Sequence, residues 1–559
     1  MIKFRAYSQD QGLALPPYLD ELIEERHLIR IVNRVVDELD MRLLSEPFKG
    51  SKHQLGGAPP YHPGMMLKVI IYSYACGIRS CRKIAKQLRE NIHYMWLSGM
   101  QQPDFRTINR YRSVYFKDIL EEIFTSVIQL LLENKLVEYK TVFVDGTKIS
   151  ADANKHKIVW GKNVQRYKKQ LQERTRGLFK EIDALNEEED NRYGSLDLPE
   201  CGEQSDLSSD DLYGVADSLS EVLSCDDKKS RTEPDKLLRK VSGQLKKDAE
   251  KLARYEEQER KLGDRNSYSK TFPDATAMRM KNDELRAGYN VQVMSENGFI
   301  VGASVSQNAN DGTSFIPLME EMDRALLPEP DEIVADAGYG HEEVYEYLEE
   351  RNIDAYIKYP SYHAEKSRES KYQFHYSRFD YDRIRDVFIC PLGRQLYFIE
   401  EGEARNKSGF IVNQRKYQCS ACSVCSYKSQ CTNSTVGRTL TVNMNLRRHQ
   451  QNARYNLEGS YGESLRKRRG YEIETVFGDW KHNLKFQRFQ LRGFDKVRAE
   501  LFFHSLAYNM RKIMKAWKSF YPVFYRFFKH IYRLLMQKLA FMILLFPNFN
   551  KSSIVWKNT

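Results

Sequence analysis

Several absences narrow the biology of this chain first. The opening stretch MIKFRAYSQDQGLALPPYL holds no apolar core of signal-peptide length, so export is not expected. The most apolar stretch, PVFYRFFKHIYRLLMQKLAFMILLFPNF, is interrupted by Arg526, Lys529, His530, Arg533 and Lys538, and no uncharged run before Pro547 is long enough to span a bilayer. Residues 519–559 therefore read as an amphipathic terminal helix that docks on the body or on a second subunit, not as a membrane element. Acidic charge is in the minority: 76 Asp+Glu against 87 Lys+Arg leave a formal +11, which favours a polyanionic partner. Nine cysteines without an export signal point to a reducing compartment, and to thiols or metal ligands in place of disulfides. Core material is not scarce. A hydrophobic fraction of 41% with 34 Tyr and 28 Phe excludes a mostly disordered, collagen-like or low-complexity protein. A length of 559 residues exceeds what one core usually serves and predicts two to four structural units.

The pattern changes along the chain. Residues 1–135 are predicted helical: Leu22, Ile23, Leu28, Ile31, Val32, Val35 and Val36 recur at helical spacing, and Pro63 opens the apolar run PGMMLKVIIYSYACG. SCRKIAKQLREN and PDFRTINRYRSVYF read as two short helices around a break at Gly99 to Pro103, the second capped by Asp104 or Thr107. That places Arg106, Asn109, Arg110 and Arg112 where a helix-turn-helix would present them to DNA; an ordinary helical domain with a solvated basic face fits the same pattern. Around residue 139 strand signals take over. From Lys155 the chain becomes highly charged, with Val164, Tyr167, Leu171, Leu178, Ile182 and Leu185 near heptad spacing and Leu238, Val241, Leu245 and Leu252 answering them. Two long helices are predicted there, joined by a flexible acidic segment at roughly 187–230. GYNVQVM and FIVGASV then flank the turn SENG as a hairpin.

Two short apolar strands each end in an aspartate before a small-residue turn: Asp145 in VFVDGT and Asp336 in EIVADAG. Glu474, in RGYEIETVFGDWKHN, lies on a later helical pattern. Either aspartate alone is as well explained as a cap or turn residue. Together with a helical carboxylate they suit a divalent-metal phosphodiester site, because Mg²⁺ takes a few oxygen ligands and keeps several waters. Two such ions can serve the attacking and leaving oxygens of an in-line displacement.

VFVDGTKISADAN, then GYNVQVM with Asn310 and Asp311 after it, EIVADAGYG, and IETVFGDWKHNLKFQRFQLRGFDKVRAELFFHSLAYNMRKI resemble, in this order, the successive blocks of bacterial insertion-sequence transposases of the DDE type. YHPGMMLKVIIYSYACGIRSCRKI is similar to that family's N-terminal domain, so the resemblance covers nearly the whole chain. It implies an α/β protein: a ribonuclease H-like mixed-sheet catalytic core with a helical N-terminal DNA-binding domain, a helical-hairpin insertion and a small zinc-knuckle-like insertion. The corresponding divisions are 1–135 for the N-terminal domain; 136–154, 268–361 and 441–518 for the core; 155–267 for the hairpin; 362–440 for the Cys-rich insertion; and 519–559 for the terminal helix. The resemblance makes Asp145, Asp336 and Glu474 the catalytic and Mg²⁺- or Mn²⁺-holding carboxylates. Glu472 competes for the third place, but the family's Glu-x6-Lys spacing selects Glu474 with Lys481, two helical turns on, and makes Lys481 a DNA-phosphate contact. One departure stands out. Many relatives carry Tyr and Arg seven and four residues before the Glu; here those positions are Lys467 and Gly470, with Tyr471 and Arg469 close by but off register. Base flipping and a hairpin intermediate are therefore left open.

Cys419, Cys422, Cys425 and Cys431 give C-x2-C-x2-C-x5-C, with Cys390 upstream in FICPLG. Five candidates for a four-ligand structural zinc leave the set open, with Cys390 plus three of the cluster preferred. Cys76, Cys81, Cys201 and Cys225 read as core or incidental residues. Basic stretches near Glu474, including Arg488 and Arg492 in KHNLKFQRFQLRG, read as a DNA track in which Trp480, Phe486 and Phe489 either stack on bases or anchor the core. The expected activity is cut-and-paste transposition: cleavage at terminal inverted repeats and strand transfer into target DNA by a homodimer, in a bacterial cytoplasm at the nucleoid. A DNA-binding protein derived from such an enzyme, and a metal-dependent nuclease without strand transfer, are the alternatives.

Overall fold

The structure is a computed structural model that describes residues 18–49, 59–193, 206–225, 233–367, 373–406 and 408–516. Its centre follows from the apolar runs. In β1 (Thr141–Ser150), Val142, Phe143 and Val144 are all fully buried, as in a strand covered on both faces. Strands β2 (Ile158–Trp160) and β3 (Ser267–Ser269) pair as a small ribbon at the foot of the charged helices. The main sheet adds β4 (Thr276–Arg279), β5 (Leu285–Glu296), β6 (Phe299–Ser306), β7 (Glu332–Ala335) and β8 (Asp354–Ile357). On one side of β1 lies β5, antiparallel; on the other lie β7 and then β8, both parallel. The far edge of β5 is shared by β4 and β6. The expected hairpin is β5–β6, and its two-residue turn puts both Asn297 (φ 53°) and Gly298 (φ 71°) in the left-handed region, the turn type whose twist suits paired strands. Helices Gly312–Arg324 and Glu342–Glu350 connect β6 to β7 and β7 to β8.

The N-terminal helices are present, but they do not form a separate core. Helix Pro63–Ala75 is buried on nearly every side, and its Tyr74 packs on Phe503 and His504, ring centroids 5.3 and 4.8 Å away, in the long helix over 494–516. One apolar cluster runs without a break from Ile23 through the sheet to Met510. A boundary at 135 is thus a boundary of pattern, not of packing. A further helix, Ile92–Ser98, stands between the two helices expected around Gly99 to Pro103.

Two other clusters are separate. Helices Gly161–Tyr193 and Glu233–Leu262 pack through residues that include Leu171, Ile182, Leu238, Leu245 and Leu252. The acidic segment expected to be flexible carries a third helix, Ser209–Cys225, whose Leu212, Val215, Ala216 and Leu219 are buried against them. Its few aliphatics fall at helical spacing, which outweighs the polar composition around them. The Cys-rich region is an antiparallel sheet of β9 (Asp380–Asp382), β10 (Val387–Ile389), β11 (Gln395–Arg405), β12 (Ile411–Cys419) and β13 (Thr439–Val442), arranged β13-β12-β11-β10-β9 around its own small core. Among the described residues no helix is long and apolar enough to cross a membrane. The terminal helix expected at 519–559 lies outside the described residues.

Candidate active site

Parallel pairing of β1 with β7 sets the site. Val144 stands opposite Ala335, where β7 stops; β1 does not end at Asp145 as expected but continues to Ser150, with Asp145 paired to Val293 of β5, so Asp145 within β1 and Asp336 just past β7 lie side by side. Each is held alike. Asp145 Oδ1 accepts the N–H of Gly146 at 2.8 Å, and Asp336 Oδ1 accepts that of Ala337 at 2.8 Å. Asp336 thereby also caps the turn Ala337–Tyr339. The second oxygens face Arg469, whose Nη2 lies 3.0 Å from Asp145 Oδ2 and 3.5 Å from Asp336 Oδ2. Burial pushes the Asp145 carboxyl up to about 6; Arg469 and the Gly146 N–H pull it back, and the charges of Asp336 and Asp311 push it further.

Arg469 and Asp311 belong to the site although the sequence reading assigned neither. Asp311, at the start of helix Gly312–Arg324, accepts from Asn290 Nδ2 (2.8 Å) and Gln292 Nε2 (3.0 Å) of β5. It lies directly over Gly146, where a side chain would meet both its carboxylate and, at 2.6 Å, the Gln292 amide. The signals were the Asn310-Asp311 pair inside a motif block and an arginine close to a motif position. Neither spacing shows which way the side chain turns.

Glu472 and Glu474 separate cleanly. Glu472 is buried and accepts from the Gly298 N–H (2.6 Å) and Arg468 Nε (3.0 Å), pinning its helix Ser460–Glu472 to the β5–β6 turn. Glu474 begins the next helix, is exposed, and engages no partner among the described residues. Lys481 sits in a π turn, Asp479–Asn483, which widens the spiral and takes it off the strict two-turn register with Glu474. Its ammonium reaches inward to Thr147 Oγ1 of β1. Burial lowers the Lys481 pKa, Lys281 lowers it further, and Asp145 opposes both.

The other cations have varied surroundings. Arg488 and Arg492 are both paired with Asp152 just beyond β1, the second at 2.8 Å. Arg106 and Arg110 are exposed on helix Phe105–Arg110, which Asp104 caps through the Thr107 N–H at 2.7 Å. Arg112, expected on the same DNA-facing surface, is instead buried, donating to the Arg79 carbonyl (2.7 Å) and to Asn109 (3.1 Å). Trp480, Phe486 and Phe489 are fully buried, which decides for anchoring over base stacking.

Cys76, Cys81, Cys390, Cys419, Cys422, Cys425 and Cys431 are free thiols. Cys419 ends β12 and is buried with Cys422; Cys390, Cys425 and Cys431 are partly exposed. Cys390 Sγ accepts the Arg394 N–H at 3.3 Å and Cys422 Sγ that of Arg438 at 3.4 Å, as in turns that wrap a sulfur in backbone donors. Burial and the neighbouring Cys422 push the Cys419 thiol up. Cys81 is a core residue, and Cys201 lies outside the described residues.

Among the described residues no three carboxylate, imidazole or thiol side chains gather so as to hold a metal ion. The Asp145 and Asp336 pair nonetheless fits Mg²⁺ or Mn²⁺, which take one or two carboxylates and complete their shell with water and substrate phosphate.

Two stretches match known families. Residues 389–514, which contain Glu474 and Lys481 but neither aspartate, match the family described as Transposase DDE domain, and residues 17–114 match the one described as Transposase domain (DUF772). No curated protein matches the chain. One transposase family is matched toward each end of the chain, and together the two matches support an insertion-sequence transposase of the DDE type.

Proposed function

We propose that the chain catalyses metal-dependent cleavage at the ends of its own mobile element and transfer of the freed strand into target DNA. The observation that carries this reading is the pair Asp145 and Asp336, side by side within β1 and just past the end of parallel β7, with the Lys481 ammonium turned in to Thr147 of β1. The sheet, with two strands parallel on one side of β1 and antiparallel strands on the other, accords with a ribonuclease H-like core. Asp145 and Asp336 would hold Mg²⁺ or Mn²⁺, and exposed Glu474 would complete the set from its helix. Bound there, the ion supplies a Lewis acid and a water of lowered pKa. Lys481 offers an ammonium to a phosphate in the cleft. Arg106, Arg110, Arg488 and Arg492 extend the positive surface along which DNA backbone would lie. Cys390 with Cys419, Cys422, Cys425 and Cys431 would furnish four thiolates to a structural zinc. Two element ends must be joined, so a homodimer assembled on DNA is the working unit.

A strand-transfer assay with element-end DNA tests this. Cleavage followed by joining, lost in Asp145→Ala, Asp336→Ala and Glu474→Ala, is the expected result. Cleavage without joining would leave a nuclease, and no cleavage in Mg²⁺ or Mn²⁺ would leave a DNA-binding protein.

A further inference from the structure

We infer that Arg469 is a resident counter-cation of the aspartate pair, competing with the first divalent ion and drawn off by a DNA phosphate, so that metal loading is coupled to DNA binding. This rests on the proposed role of Asp145 and Asp336 as the metal-holding pair. The argument is one of occupancy. Each carboxylate has one oxygen committed to the backbone, Asp145 Oδ1 to Gly146 and Asp336 Oδ1 to Ala337, both at 2.8 Å. The oxygens left over are the two Oδ2 atoms, and Arg469 Nη2 lies against both, at 3.0 and 3.5 Å. A metal ion and this guanidinium compete for the same lone pairs and repel one another at that separation.

Neighbouring cations are otherwise engaged: Lys467 with Glu463 and Arg468 with Glu472, each at 3.0 Å. Arg469 is the member of that run turned into the site, with 16% of its side chain exposed and its Nε without an acceptor. Because Glu472 ties the helix to the β5–β6 turn, Arg469 leaves the aspartates by side-chain rotation and not by helix movement. What can draw it off is an anion of matching shape. A phosphodiester beside Lys481 offers paired oxygens, which a planar guanidinium grips in fork geometry. Release of Arg469 then frees both Oδ2 atoms as DNA arrives. By reciprocity, metal strengthens DNA binding as much as DNA strengthens metal binding.

The test measures Mn²⁺ binding to the full chain by electron paramagnetic resonance, with and without short duplex DNA whose own Mn²⁺ uptake is subtracted. Duplex should tighten binding to the wild type on the order of tenfold, within the usual range of site-to-site coupling. Arg469→Gln should bind Mn²⁺ tightly without DNA and gain little from it, whereas Arg469→Lys, which keeps the charge, should retain part of the coupling. A merely structural Arg469 would weaken binding in both variants. If Asp145→Asn abolishes Mn²⁺ binding while Arg469→Gln binds no tighter than wild type, the inference fails alone. If Asp145→Asn leaves Mn²⁺ binding intact, the metal reading fails and takes the inference with it.

Discussion

The raised Asp145 carboxyl sets a pH at which the site should stop taking metal. A carboxyl titrating at about 6 is ionised in only about one molecule in eleven at pH 5, whereas one at the ordinary 3.8 is about 94% ionised there. Proton and metal compete for that oxygen, so Mn²⁺ affinity should be level above pH 7 and about tenfold weaker, or about 1.4 kcal/mol, at pH 5. Isothermal calorimetry with Mn²⁺ between pH 5 and 8 measures this. Affinity that stays level down to pH 5 would refute either the desolvation of Asp145 or its place in the site. The same shift bears on stability. Because the folded value is raised, the stabilising contribution is complete below pH 3.8 and is lost as pH rises through about 6. Lifting the carboxyl from 3.8 to about 6 corresponds to at most about 3 kcal/mol, and Asp145 is only 19% exposed. Metal-free Asp145→Asn should therefore unfold at higher temperature than wild type at pH 7, with the gap closing toward pH 4. A gap of opposite sign would show that the Arg469 pairing outweighs burial.

Other substitutions separate structure from chemistry. Gly146→Ala forces a methyl into the Asp311 carboxylate and the Gln292 amide, so it should cost about 1–3 kcal/mol by denaturant unfolding and abolish cleavage. Glu472→Ala leaves the Gly298 N–H unpaired and should cost about 1–3 kcal/mol. Glu474→Ala, at an exposed position, should change thermal stability by less than about 0.5 kcal/mol while eliminating cleavage. If the zinc proposal holds, elemental analysis of purified protein finds one zinc per chain, lost in Cys422→Ser; metal-free protein with full activity would discard it.

Much of the site could be read from residue order because strand signals are local. Asp-Ala-Gly does stop β7 just before Asp336, but Asp-Gly does not stop β1, which runs on through Asp145 to Ser150 because β5 pairs with it along that length. Glu472 and Glu474 were harder. They lie two residues apart, at the end of one helix and the start of the next, and only a motif spacing separates them in the sequence; Glu472 is the one that is buried, against Gly298. The Glu474 and Lys481 register was read as two straight turns, and the π turn at Asp479–Asn483 breaks that assumption. Arg112 looked like its neighbours Arg106 and Arg110, but it faces the core. Composition misled at Ser209–Cys225, where four well-spaced apolar residues hold a helix in an acidic segment.

The sequence by itself determined the order of motifs, the strands that bring Asp145 and Asp336, the helical character of 63–133 and 444–516 and the clustering of cysteines, since these depend on neighbours within a few residues. Tertiary structure decided everything that depends on residues far apart in the chain. Parallel pairing of β1 with β7 places the aspartates together, and 324 residues separate Asp145 from the Arg469 that neutralises it. Asp311 reaches the site because Asn290 and Gln292 hold it over Gly146. The N-terminal helices share a core with the main sheet because Tyr74 packs against Phe503 and His504. Charge and hydrophobicity along a chain specify what a residue can do; only packing specifies which partner is within reach.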